Sequence, residues 1–247
     1  KLNFDLSKTY SLACPSFLFD VSRNCNKNEF LSENYPNLHN RKNKAIGFIL
    51  CGWNFKQGPF DLWPRPDSHY KNFTNLIKNI LKNTDDEIFL MSHSNGFNPD
   101  SREFELKHGR DYFIAKRFME VIENQNIDTS RVHVIERVND AWETKVLLGE
   151  FDLLISGRIH GAIGSLSQSV PTLIIDYGHE PKAHKLEGFA KLLEFENFVT
   201  NPLSVKDMND KFETLYNNID TLSKDLEKIL PSIQNKARKN FDLLKEI

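Results

Sequence analysis

The chain has 247 residues, 39 % of them hydrophobic and 27 % charged, with a formal net charge of −2. That is enough to bury a substantial core, and the charge excludes a global basic field of the kind that holds nucleic acid or an anionic membrane. No stretch approaches the roughly 18 uninterrupted apolar residues that a membrane-crossing helix needs, so no transmembrane segment is expected.

The first 44 residues read as an irregular segment or the remnant of a preceding domain. "KLNFDLSKTY" has no long apolar region and no small-residue cleavage site, so no signal peptide is expected, and the missing initiator Met suggests a trimmed or partial chain. "YSLACPSFLF" fits one strand and a turn, followed by a polar, Asn-rich cover up to Lys44. Cys14, Cys25 and Cys51 lack CxxC spacing. They read as small buried hydrophobes in a reduced, cytoplasmic setting.

From Ala45 short apolar runs alternate with amphipathic ones. Strands are predicted at 45–52, 87–93, 131–137, 152–156, 171–177 and, weakly, 197–200. Near-continuous Ile, Leu and Val in several of them fit strands covered on both faces. Helices are predicted at about 69–83, 110–125, 140–149, 159–168 and 184–195; Tyr112, Ala115, Phe118, Met119 and Ile122 follow a helical period. The sequon at Asn72 falls in the first of these helices and is discounted as a glycosylation site. Strand, helix, strand in repetition predicts an α/β, doubly wound, mostly parallel Rossmann-like sheet occupying residues 45–247. Its C-terminal helical tail, 203–247, should break near Pro231. An apolar stripe through Leu222, Leu226, Ile229, Leu230 and Ile233 suits packing on the domain, or a peripheral place at the inner face of a membrane.

In such a sheet ligands lie beyond the carboxyl ends of the strands. The post-strand residues are Gly52, Trp53 and Asn54; His93, Ser94 and Asn95; Arg137, Asn139 and Asp140; Ser156, Gly157, Arg158 and His160; and Asp176, Tyr177, Gly178 and His179. The corner "SGRIHGAIG" has the wrong glycine spacing for a dinucleotide fingerprint, and no P-loop follows any strand. What it offers is a helix N-terminus with free N–H groups, an arginine whose fork matches carboxylate or phosphate, and a histidine able to move a proton. The alternative is an Arg158 that closes an ion pair and a His160 satisfied within the core. Tyr177, His179, Lys182 and Lys185 would line the same cleft, or form a solvated loop. His93 ends a strand in "MSHSNGF", where a polar turn explains it equally well. No HExxH and no carboxylates clustered with metal-ligand character occur, so neither a metal nor a cofactor is expected, and no GxSxG elbow marks a serine nucleophile.

The stretch "FDLLISGRIHGAIGSLSQSVPTLIIDYGHEPKAHKLEGFA" resembles the polysaccharide pyruvyl transferase family, with its Ser-x-Arg-x-His corner, small-residue helix, Val-Pro strand and Tyr with a downstream Lys. "ACPSFLF" resembles the Gly-Cys-Pro-Ser segment of many members. The resemblance implies a GT-B-like enzyme, this chain corresponding mainly to its C-terminal domain. Such an enzyme transfers pyruvate from phosphoenolpyruvate onto two hydroxyls of a sugar or glycan acceptor, in cell-wall or exopolysaccharide synthesis. It further implies that Arg158 grips the phosphate or carboxylate of the donor and that His160 is the acid toward the enol methylene or a phosphate contact. Ser156, Gly157 and the backbone at Ile159 would seat the anion and Tyr177 and Lys182 would contact substrate, as would His93 by its place at a strand end. The family's Gly-Asn-x-Gly-Asp loop and first Rossmann-like domain have no counterpart in the sequence, so either the protein is shortened or a separate region supplies the acceptor half. A nucleotide-sugar glycosyltransferase and a non-catalytic binding module are the alternatives.

Overall fold

The computed structural model describes residues 10–21, 26–51, 65–98, 105–177 and 185–244. Six parallel strands form one sheet: β1 (Ala45–Ile49), β2 (Glu87–Leu90), β5 (Val132–Val134), β6 (Leu153–Ser156), β7 (Thr172–Ile175) and β8 (Val199–Thr200). Their spatial order is β5-β2-β1-β6-β7-β8. Numbered as they occur within this sheet, that is the doubly wound 3-2-1-4-5-6 order. The order reverses between β1 and β6, which pair in register from Ile46 with Leu153 to Ile49 with Ser156. All six strands fall inside the predicted runs, because both faces of the sheet are covered. Ile46, Phe48, Leu153 and Ile155 join one apolar cluster, whereas Ala45, Ile49 and Leu154 join the other. Side chains that alternate between two dry faces keep the strands mainly apolar, with polar residues at strand ends, such as Glu87, Ser156, Thr172 and Thr200, or on the edge strand, as at His133.

The predicted helices appear as α3 (Lys71–Asn83), α4 (Arg110–Asn124), α5 (Ala141–Leu148), α6 (Ile159–Leu166) and α7 (Lys185–Leu192). Asp140 begins α5 with a capping box in which its side chain accepts from the Glu143 amide at 2.8 Å and the Glu143 carboxylate returns to the Asp140 amide. Asn72 lies in α3 and donates from its side-chain amide to the Pro202 carbonyl at 2.9 Å.

Four features depart from the sequence expectations. The strand expected in 10–19 is a 3-10 turn, Pro15–Leu18: Pro15 supplies no N–H for a ladder, and Phe17 buries against Phe189 at 6.1 Å between ring centroids. The expected irregular cover contains two helices, α1 (Lys27–Asn34) and α2 (Pro36–His39). They bury Phe30, Leu31 and Leu38 on the second face of the sheet. Between β2 and α4 an antiparallel hairpin is inserted, β3 (Asn95–Phe97) with β4 (Leu106–His108). The tail holds α8 (Val205–Tyr216) and α9 (Ile219–Leu244), and α9 runs unbroken through Pro231. Pro231 and Glu227, whose carbonyl loses its partner, both face water, while Leu226, Leu230, Ile233 and Ala237 bury the opposite side and hold the axis.

Candidate active site at the switch point of the sheet

The reversal of strand order places the ends of β1 and β6 side by side, and the corner from β6 into α6 is built there. Ser156 is fully buried. Its hydroxyl accepts from the Arg158 amide at 3.1 Å and donates to the Arg158 carbonyl at 3.0 Å, which closes the turn. The Gly157 amide donates to the Ile49 carbonyl at 3.1 Å, and the Cys51 thiol donates to the Gly157 carbonyl at 3.3 Å, so the corner is tied to β1. A Cβ on Gly157 would lie 2.0 Å from Cε2 of Tyr177, so only glycine lets that buried ring seat beneath the corner. Arg158 is the N-cap of α6, in extended conformation (φ −106°, ψ 121°), with its carbonyl accepting from Ala162 at 2.9 Å. The first-turn N–H groups that follow have no intrahelical acceptor, as at any helix start.

The Arg158 guanidinium turns toward α4. Its Nε and Nη2 donate to the two carboxylate oxygens of Asp111 at 2.9 and 2.6 Å. Asp111 is completely buried and Arg158 is 34 % exposed, so the pair presents one edge of the guanidinium outward. Burial works against the arginine's charge, yet the Asp111 hydrogen bonds and charge outweigh it and hold Arg158 above its ordinary range. Two of the five N–H donors are spent on Asp111, which leaves others for an anion.

A cavity of about 390 Å³ is lined by His93, His160, Lys145, Asn95, Ser16 and Phe19 among others; Arg158 and Asp111 are not in its lining, and their charges act on His93. His160 is exposed on the first turn of α6. His93, just past β2, reaches the cavity but is closely surrounded by protein. Burial pushes its imidazole down to about 4, helped by the His160 and Arg158 charges and opposed by Asp111. At neutral pH His93 is therefore an uncharged ring, able to accept a proton. Lys145, only 6 % exposed, is lowered to about 8 by burial, opposed by Asp20. The Cys51 thiol is pushed up to about 12 by burial, Arg158 acting in the opposite sense, so it is not a ready nucleophile.

Of the predicted set, His160 and His93 line the cavity, and Arg158 acts on His93 by charge without lining it. Ser156 and Tyr177 are buried beneath the corner and do not line the cavity; they shape it. Ile159 is half-buried against the core, so its side chain packs while its backbone belongs to the helix start. Lys182 and His179 lie outside the described residues, as do Gly52, Trp53 and Asn54. Asp111 was not singled out by sequence, although a carboxylate three residues before Ile114 and four before Ala115 falls on the apolar face of α4, which is its one signal. Lys145 carries the same signal on α5, beside Val146, Leu147 and Leu148. Among the described residues no group of three His, Cys, Asp or Glu side chains could hold a metal ion. None of the described helices is long and apolar enough to cross a membrane.

Solved structures of similar shape share little sequence. A glycosyltransferase from Rickettsia africae is 14 % identical with a TM-score of 0.58, covering 96 % of this chain and 55 % of its own. A UDP-forming α,α-trehalose-phosphate synthase from Burkholderia xenovorans, solved with glucose-6-phosphate, is 12 % identical with a TM-score of 0.52, covering 94 % and 50 %. An O-GlcNAc transferase mutant from Thermobaculum terrenum is 12 % identical with a TM-score of 0.51, covering 83 % and 36 %. This chain spans about half the length of the first two and about a third of the last. At such identities the likeness is one of fold, a Rossmann-like sheet of the type found in GT-B glycosyltransferases. Comparison with curated proteins gives no match. Sequence is more specific than shape here: the model of the polysaccharide pyruvyl transferase family matches residues 3–179, from the first residues through the Ser-Gly-Arg-Ile-His corner to the loop after β7. The chain belongs to the polysaccharide pyruvyl transferase family.

Proposed function

We propose that the chain transfers pyruvate from phosphoenolpyruvate onto two hydroxyls of a sugar, forming a cyclic ketal and releasing phosphate. One observation carries the reading beyond family membership. Two histidines, His93 and His160, line a cavity at the carboxyl edge of the sheet, and an arginine fixed by a buried carboxylate lies close enough for its charge to act on His93. The chemistry uses each part. The open edge of Arg158 and the first-turn amides of α6 hold the donor's phosphate or carboxylate. His160 protonates the enol methylene, which makes the adjacent carbon electrophilic, and a sugar oxygen adds to it. The uncharged His93 takes the proton from the attacking hydroxyl. The second hydroxyl then displaces phosphate from the same carbon, and its proton leaves with the phosphate, so that one pyruvate less one water remains on the sugar. No step requires a redox change.

Saturating phosphoenolpyruvate should raise the melting temperature of the wild-type chain. At a hundredfold excess over Kd the gain is about 2.7 kcal/mol, or roughly 5–10 °C for a domain of this size. Arg158→Ala should abolish the response, and incubation with a panel of glycans should add one pyruvate less one water to the acceptor. An unmoved transition in the wild type sinks the reading. Stabilisation by a UDP- or CMP-sugar without any response to phosphoenolpyruvate would support a second one, a nucleotide-sugar glycosyltransferase, which the fold likeness favours.

A further inference from the structure

Lys145 is a buried, nucleophilic group that the proposed reaction leaves idle. It sits on α5 beside Val146, Leu147 and Leu148 and is 6 % exposed, yet it lines two cavities at once. One is the cavity of about 390 Å³ that also bears His93 and His160. The other, of about 690 Å³, is lined by Phe19, Asp20, Trp142 and Arg238 among others. Lys145 Nζ donates to the Ser167 hydroxyl at 2.8 Å, and that hydroxyl donates in turn to the Gly164 carbonyl at 3.2 Å. The same nitrogen lies 5.7 Å from the centre of the Phe19 ring. Asp20 acts on it through charge. An ammonium withdrawn from water into such surroundings is costly, and the neutral amine avoids the cost, which is why burial brings Lys145 down to about 8. As an amine it keeps an N–H for Ser167 and gains a lone pair that can attack a carbonyl carbon.

We infer that Lys145 is a covalent docking site for a small α-oxo acid, whose carbonyl condenses with the ε-amine to an imine in the cavity shared with His93 and His160. The nitrogen lone pair adds to the carbonyl carbon, the C=O π pair moves to oxygen, and an N–H proton follows it to give a carbinolamine. A proton from His160, exposed on the first turn of α6, or from water converts that hydroxyl to water, which leaves as the C=N bond forms. No redox change is involved. An acid suits the lining better than a plain aldehyde. Its carboxylate, one bond from the carbonyl, meets the His160 imidazole, while the carboxylate within the lining, Asp140, is turned to the Glu143 amide as the cap of α5. The inference stands apart from the donor reading, because phosphoenolpyruvate has no free carbonyl and cannot form the imine.

The test incubates the wild-type chain with pyruvate and cyanoborohydride, without phosphoenolpyruvate, and maps its peptides by tandem mass spectrometry. Hydride fixes the imine as a secondary amine, which adds one pyruvic acid less one oxygen to the lysine. Lys145 should carry this label about tenfold or more ahead of any exposed lysine at neutral pH, since far more of it is uncharged. Its labelling rate should rise with pH through about 8, while exposed lysines rise only toward about 10.4. Lys145→Arg should lose the label, and the wild-type map decides the matter even if that variant does not fold. Label on exposed lysines with Lys145 bare overturns the inference, as does a Lys145 profile that matches theirs. Labelling of Lys145 by propanal but not by pyruvate overturns the choice of an α-oxo acid. A thermal response to phosphoenolpyruvate with Lys145 unlabelled defeats this inference alone. A labelled Lys145 with no such response upholds it and defeats the donor reading.

Discussion

Arg158→Ala and Asp111→Ala, alone and together, probe the one ionic contact on which the site is assembled. Asp111 has no exposure, so removing its arginine leaves a carboxylate in the core without its bidentate partner. Breaking a buried pair costs about 3–5 kcal/mol. The guanidinium, however, is 34 % exposed, and water screens part of the interaction, so a loss of about 2–3 kcal/mol is expected for Arg158→Ala. Asp111→Ala frees an arginine that can turn its head to solvent, and should cost less, about 1–2 kcal/mol. The double variant removes both charges and should be no less stable than Arg158→Ala, which gives a coupling of about 1–2 kcal/mol. Urea unfolding of the four proteins at one pH measures this directly. If the two losses add within about 0.5 kcal/mol, the pair does not hold the corner and Asp111 does not position Arg158.

Gly157→Ala forces the Tyr177 ring or the corner to move, since the new Cβ would meet Cε2 at 2.0 Å; a loss of about 1–3 kcal/mol is expected by thermal unfolding, and an unchanged transition would refute the close approach. His93 has a folded value of about 4 against an ordinary 6.5, so the unfolded chain binds the extra proton and stability falls as pH drops from 6.5 toward 4. His93→Asn should flatten the wild-type profile in that window, and an NMR titration of the His93 ring should show no charging above about pH 5. Pro231→Ala restores an N–H to a water-facing turn of α9 and should stabilise the chain by up to about 3 kcal/mol; a lower melting temperature would mean that the proline bends the helix into a shape the core needs.

The sheet was legible because its strands are dry on both faces and written almost wholly in Ile, Leu, Val and Phe. Periodicity located α3 and α4 for the complementary reason that each carries one apolar stripe, whereas α5 and α6 are buried over consecutive residues, 145–148 and 161–166, and were placed by their position between strands. The hairpin β3–β4 was not legible, since "NGF" and "LKH" are only three residues each and lie eight residues apart in sequence, 98–105. Pro231 misled because the rule against proline in helices assumes that the lost hydrogen bond matters, and on a wetted face water replaces it. At the site, Arg158 and His160 follow directly from the strand-end rule, whereas the partner of Arg158 is 47 residues away in sequence. Nothing local in "RDYFIAKRF" states that Asp111 faces an arginine. Tyr177 was visible as a post-strand residue, but its task is to fill volume under a glycine, which no motif expresses.

Ala13 is bound by its carbonyl to the side-chain amide of Asn240 at 2.9 Å, so the last turns of α9 hold down the strap that bears Ser16 and Phe19. Both strap residues border the cavity of about 390 Å³, and Phe19 also lines a second cavity of about 690 Å³ that shares Lys145 with it. Trimming α9 back past Asn240 would thus loosen a wall of the first cavity from the far end of the described chain, without touching any residue that lines it.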